Sequence, residues 1–177
     1  RVCLFDNQPQ ASAKAIASIF AQWDRLCEKG RLSAEQSADL KSRMSCAETI
    51  DDLATCDLVV EAIVERLDAK ADLFVALERV VGPDTVLATN TSSLSVTAIA
   101  ARLQRPARFA GMHFFNPVPL MKVVEIIPGL RTDATVADAL AAYTRQMGHT
   151  PVRASDTPGF IVNHAGRGYG TEALRIV

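Results

Sequence analysis

No basic block exists anywhere in these 177 residues: 19 Lys and Arg stand against 20 Asp and Glu, for a formal net charge of −1. That balance speaks against nucleic acid or an anionic membrane surface as a partner. No apolar run approaches the length of a membrane span, and no signal-peptide pattern opens the chain. The cysteines Cys3, Cys27, Cys46 and Cys56 show no Cys-x-x-Cys spacing and no neighbouring His cluster. They are expected to be reduced structural thiols in the cytoplasm rather than metal ligands. A Gly-x-Gly-x-x-Gly turn is missing too, so no phosphate-binding loop is visible. Nor is there an initiating Met: the chain opens directly on the strand-like Val2-Cys3-Leu4-Phe5 and reads as a portion of a longer one.

What is present is an ordinary globular composition, 49% apolar and 22% charged, with a regular succession of strand and helix patterns. The first short strand ends at Asp6, before Asn7-Gln8-Pro9. Strand, acid, turn and long helix is the pattern of a dinucleotide-binding βαβ unit, where the acid accepts from ribose hydroxyls. Asp6 could equally be a turn former or a helix N-terminal acid. From Ala11 to about Lys29, apolar residues at 15, 16, 19, 20, 23 and 26 have helical spacing, and Gly30 stops the helix. Ser33-Ala-Glu-Gln36 resembles a capping box that opens a second helix to about Arg43. This helical pair is an excursion from simple alternation of strands and helices.

Asp57 to Val64 is a continuous apolar run of the kind a buried parallel strand needs, interrupted by Glu61 and closed by Glu65. Helical periodicity follows from Leu67 to Val80, and Gly82-Pro83-Asp84 breaks it. Thr85–Thr89 is the next strand, with Asn90-Thr91-Ser92-Ser93 at its carboxyl end, the edge where open α/β sheets bind ligands. One of Ser93 and Ser95 is expected to cap a helix. Arg108–Met112 is a strand delivering His113, and Pro117 and Pro119 stiffen the following loop. Met121–Ile127 is a further strand, a helix runs from Asp133 to about Met147 before Gly148, and Thr150–Arg153 is the last strand. Asp156-Thr-Pro-Gly159 marks a boundary: residues 1–155 form one α/β domain, and 156–177 begin a second, helical one.

Two polar residues sit where packing alone does not want them. Glu125 interrupts Val123-Val124-Ile126-Ile127, and an ionised carboxylate in a buried strand is costly unless a cation or donor meets it. Twelve residues earlier His113 ends another apolar run. Taken singly, the histidine could be a satisfied core residue and the glutamate a solvent-facing one. Together, on neighbouring strand ends with Asn116 between them, they suggest a general base and its orienting acid.

Asn90-Thr-Ser-Ser-Leu94 and Arg108-Phe-Ala-Gly-Met-His-Phe-Phe-Asn-Pro-Val-Pro-Leu-Met-Lys-Val-Val-Glu125 resemble the L-3-hydroxyacyl-CoA dehydrogenase family. Asp57-Leu-Val-Val-Glu-Ala-Ile-Val-Glu65 and Asp156-Thr-Pro-Gly-Phe-Ile-Val-Asn163 resemble it in the same order, so the likeness covers nearly the whole chain. The resemblance implies a Rossmann-like, doubly wound, mostly parallel sheet. Its first strand and glycine loop would lie upstream of Arg1, and the first helix of an all-α dimerisation domain would follow at 156–177. It implies NAD as cofactor, an acyl-CoA substrate, a homodimer formed through that second domain, and an oxidation of L-3-hydroxyacyl-CoA to 3-ketoacyl-CoA. A metal is not implied.

By the same resemblance His113 is the base and Glu125 its partner, while Ser92 and Asn163 donate to the substrate. Asn116 fixes the loop around His113 and lies on the substrate side with Lys29, which approaches the coenzyme A nucleotide. Asp6, Glu65, Lys70 and Asn90 lie on the cofactor side, Asp6 favouring NAD over NADP. The chain departs from the family at His164, where Arg usually follows the Asn. Gly166, Gly168 and Gly170, unusual in a helix, suggest a small-residue packing surface. β-Oxidation, butanoate metabolism and aromatic-acid degradation all use such enzymes, so the pathway stays open. Isolated residues 1–177 are expected to be inactive. The remaining alternatives are a related hydroxy-acid or sugar-acid dehydrogenase and a non-catalytic, crystallin-like NAD-binding module.

Overall fold

A computed structural model describes residues 1–176. The chain divides into two compact units, Arg1–Thr55 and Cys56–Val177.

In the first unit, β1 (Val2–Leu4) and β2 (Met44–Cys46) pair in parallel, Val2 opposite Met44 and Leu4 opposite Cys46. Helices α1 (Ala11–Glu28) and α2 (Ala34–Ser42) connect them. Gly30 ends α1 at φ +65°, with its N–H on the Cys27 carbonyl and the Arg31 N–H on the Leu26 carbonyl. This double closure needs a left-handed residue, which glycine supplies without a Cβ clash. The capping box at α2 forms as the sequence indicates, with Ser33 and Gln36 exchanging side-chain to backbone hydrogen bonds. β2 has no counterpart in the sequence reading, because three residues are too few to display a period of two.

The second unit is a five-stranded sheet in the order β3 (Leu58–Glu61), β4 (Val86–Thr89), β5 (Phe109–Phe114), β6 (Val123–Pro128) and β7 (Thr150–Arg153). All neighbours are parallel except β5 and β6. The connecting helices are α3 (Leu67–Val80), the short α4 (Val96–Ala100) and α5 (Ala134–Gln146), and α6 (Val162–Ile176) follows β7. This is a Rossmann-like, mostly parallel sheet with helices on both faces.

Side chains alternate across a strand, so each face has its own core. On one face Ala88, Ala110, Met112, Val124 and Ile126 pack with Ala137 and Leu140 of α5, all buried. On the other, the Phe74 ring of α3 meets the Phe109 ring edge-on at 4.6 Å. Gly111 permits close approach there, since an added Cβ would lie 3.0 Å from Ile127 and from Val96 of α4. Burying each such large apolar side chain contributes roughly 1.5–3 kcal/mol. His113 and Glu125 share the odd-numbered face of β5 and β6 with Phe109, Gly111 and Ile127. The two cores therefore fix the orientation of a polar pair that neither needs.

Candidate active site

His113 stands at the carboxyl end of β5 directly opposite Glu125 in the antiparallel register. Its Nδ1 lies 2.7 Å from Glu125 Oε2. The histidine is 4% exposed and the glutamate 0%. A carboxylate can only accept here, so Nδ1 carries the hydrogen and Nε2 the lone pair. Among the described residues nothing hydrogen-bonds Nε2. The other carboxylate oxygen, Oε1, accepts from the backbone N–H groups of Ile161 and Val162, each at 2.9 Å. The imidazole contacts two phenyl rings, Phe115 with its centroid at 4.5 Å and Phe160 at 5.6 Å. The Asn116–Pro117 peptide in the following loop is cis, and Asn116 is exposed.

The loop after β4 is anchored by acids. Glu65 Oε1 accepts from the Thr91 hydroxyl at 2.6 Å and from the backbone N–H groups of Ser92 at 2.7 Å and Ser93 at 3.2 Å. Desolvation pushes the Glu65 carboxyl up, but the Thr91 and Ser92 hydrogen bonds and the Lys70 charge outweigh it and hold it below its ordinary value. Lys70 is not a surface residue: 1% exposed, it gives its ammonium to Glu61 Oε1 at 2.6 Å, to the Ile63 carbonyl at 3.3 Å and to Glu65 Oε2 at 3.3 Å. Two hydrogen bonds and one ion pair thus surround the ammonium. Any influence of Lys70 on a ligand therefore runs through its charge and through Glu65. Glu61, read from the sequence only as an interruption of a strand, also accepts from the Thr89 hydroxyl at 2.7 Å and the Ile63 N–H at 2.6 Å.

Asn90 spans two strand ends: its N–H reaches the Glu61 carbonyl and its Oδ1 accepts from Phe114 N–H at 2.8 Å. It thereby fixes the backbone next to His113. Ser92 is exposed, and its carbonyl accepts from Asn163 Nδ2 at 3.4 Å. Asn163 adjoins Val162, whose N–H holds Glu125, so Ser92, Asn163, Glu125 and His113 are connected through a short series of contacts. Asp156, which the sequence offered only as a boundary marker, caps α4. Its carboxylate accepts from the Ser95 hydroxyl at 2.9 Å, Val96 N–H at 2.8 Å and Thr97 N–H at 2.7 Å. Ser95 in turn caps α4 through the Ala98 N–H.

Asp6 and Lys29 belong to the first unit. Asp6 is exposed at the end of β1, and Oδ1 accepts from the Gln8 N–H at 2.8 Å. Oδ2 has no hydrogen-bond partner among the described residues, which suits an acceptor for a sugar diol at the end of a parallel strand. Lys29 is the exposed C-cap of α1. The turn Gly159–Phe160, the N–H groups it aims and the Glu61–Lys70 pair are what sequence reasoning missed. The available signals were a carboxylate inside an apolar run and a Gly-Phe pair opening a helix.

Residues 1–157 match the family profile described as "3-hydroxyacyl-CoA dehydrogenase, NAD binding domain". The chain is 46% identical over 175 residues to the 3-hydroxyadipyl-CoA dehydrogenase of Escherichia coli (strain K12), covering 99% of this chain and 37% of that protein. It is 41% identical over 162 residues to a probable 3-hydroxybutyryl-CoA dehydrogenase of Bacillus subtilis (strain 168), covering 92% of this chain and 56% of that protein. Among solved structures, 3-hydroxybutyryl-CoA dehydrogenase from Escherichia coli K12 substr. MG1655 superposes with a TM-score of 0.95 at 46% identity, covering 98% of this chain and 37% of that one. The chain thus spans about a third to a little over half the length of these relatives.

Proposed function

The chain belongs to the 3-hydroxyacyl-CoA dehydrogenase family, and on that premise we propose that the whole protein reversibly oxidises an L-3-hydroxyacyl-CoA thioester to the 3-ketoacyl-CoA. The observation that carries this reading is the His113–Glu125 couple, 2.7 Å apart, with an imidazole nitrogen left over at the carboxyl end of a sheet strand. The names of the two relatives, which specify hydroxyadipyl and hydroxybutyryl thioesters, support the substrate class.

NAD⁺, when bound, supplies the hydride acceptor. Asp6, with one carboxylate oxygen unpartnered among the described residues, would hold its adenosine ribose, and the segment around Asn90 and Glu65 would border the nicotinamide side. His113 Nε2 takes the hydroxyl proton of the substrate, because an alcohol losing hydride from its carbon becomes strongly acidic at oxygen. Glu125 keeps the imidazole in the Nδ1–H tautomer and offsets the positive charge that the ring acquires. Ser92, whose hydroxyl has no partner among the described residues, and Asn163 would donate to the substrate oxygen or the thioester arm. Asn116 would shape the loop on the substrate side, and Lys29 would meet the coenzyme A nucleotide.

Residues 1–155 would form the nucleotide-binding domain, and α6 would open the second. The outer edge of β3 is unpaired among the described residues, which supports a further parallel strand beside it. Tyr169, Leu174 and Ile176 of α6 are exposed apolar side chains, which supports burial of this helix against further protein, in a homodimer. A cytoplasmic setting belongs to the same reading, and degradation of fatty or aromatic acids as CoA thioesters is the pathway class. Steady-state NADH production by the whole protein tests the reading. Turnover on 3-hydroxybutyryl-CoA well above that on free 3-hydroxybutyrate is expected, and a preference for the free acid would overturn the thioester assignment.

A further inference from the structure

We propose that the turn Gly159–Phe160 and the first N–H groups of α6 are positioning elements for the base, acting on His113 through Glu125. The inference rests on the reading of His113 as the proton acceptor and adds residues to it. Glu125 is fully buried and its carboxylate makes three hydrogen bonds, divided by oxygen: Oε2 to His113, Oε1 to the N–H groups of Ile161 and Val162. The first N–H groups of a helix have no acceptor within it, so they are available to an outside acid. Here the backbone aims them inward. Gly159 lies at φ +79° and Phe160 at φ +49°, a region that residues with a Cβ seldom occupy. An added Cβ at Gly159 would stand 3.1 Å from the His164 nitrogen. The same turn buries the Phe160 side chain, whose ring meets the imidazole.

Two donors on one oxygen fix the carboxylate rotamer, so that only Oε2 faces Nδ1. They also satisfy the buried oxygen that does not face the imidazole. Residues beyond the sheet therefore complete the acid–base couple, and displacing α6 would remove both donors at once.

Val162→Pro tests this directly. Proline is accommodated at the first helical position and replaces the N–H by a ring methylene that faces Oε1, whereas Val162→Ala keeps the N–H and trims the side chain. In the whole protein Val162→Pro should lower kcat for 3-hydroxyacyl-CoA oxidation about 10- to 100-fold, the effect of losing a hydrogen bond to a charged group. The KM for NAD⁺ should not move, and Val162→Ala should stay close to wild type. ¹⁵N NMR of the neutral His113 ring supplies a readout that needs no turnover: wild type and Val162→Ala should show the Nδ1–H tautomer, and Val162→Pro a mixture. Gly159→Ala, which strains the turn but leaves every N–H in the chain, should reproduce the mixture. A wild-type protein inactive on thioesters but with this tautomer pattern would sink the dehydrogenase reading and leave the positioning role standing. An unchanged tautomer in both Val162→Pro and Gly159→Ala would overturn the positioning role.

Discussion

Lys70 Nζ lies 2.6 Å from Glu61 Oε1 with both side chains closed to solvent, and the same ammonium reaches Glu65 Oε2 at 3.3 Å. One buried cation thus joins the end of β3 to the acid that carries the loop bearing Ser92. Removing one member of such a pair leaves its partner charged and unmatched, which costs more than the pair ever gained. Lys70→Met should therefore destabilise the protein by about 3–5 kcal/mol. Urea denaturation measures this, and the double variant Lys70→Met/Glu61→Gln should recover part of the loss. A double variant no more stable than the single one would show that the cost is steric.

His113→Gln should lower turnover about 10²- to 10⁴-fold, the range for loss of general acid–base catalysis. NADH affinity, read by fluorescence titration of the whole protein, should change little. Near-normal turnover on an acetoacetyl-CoA substrate would remove His113 from the role.

Asp6→Ala should narrow the preference for NAD⁺ over NADP⁺. The carboxylate that accepts from a ribose diol also repels a 2′-phosphate. The ratio of kcat/KM values for the two cofactors is the measurement. An unchanged ratio would leave Asp6 with only its hydrogen bond to the Gln8 N–H.

Acid should loosen the loop after β4 and the start of α4. Desolvation acts to raise the Asp156 carboxyl, but hydrogen bonds from Thr97, Val96 and Ser95 prevail and hold it below its ordinary 3.8. Glu65 is likewise held below 4.5. A carboxyl depressed in the folded state contributes its full stabilisation above its unfolded value and loses it as pH falls through the folded one. Asp156→Asn should therefore lower the urea midpoint at pH 7, with the gap to wild type closing below about pH 4. A gap as wide at pH 3 as at pH 7 would mean that the charge plays no part.

Most elements were legible because their signals are local. The helix 67–80 shows its apolar spacing and ends as read, at Val80. Gly30 and Gly148 stop α1 and α5 at positive φ, as glycines after a helical stripe are suited to do. His113 and Glu125 were legible as a couple because two polar residues in apolar runs need one another. The burial of Lys70 was not. A lysine three residues into an amphipathic helix reads as solvated until Glu61 and Glu65 are seen on the same ammonium. The roles of Asn90 and Asp156 were hidden for a related reason. Their partners, the Phe114 N–H and the first turn of α4, lie 24 and about 60 residues away, and backbone donors leave no trace in side-chain identity.

The antiparallel register of β5 and β6 seats Met112 against Ile126 in the step before it seats His113 against Glu125. Inserting one residue inside either strand would turn a buried side chain, Met112 on β5 or Ile126 on β6, toward the wrong face at the same stroke that parts the proton-handling couple. A slip of register here therefore cannot part the couple while sparing the core, whereas a side-chain replacement can, so insertions and substitutions probe different things in this pair of strands.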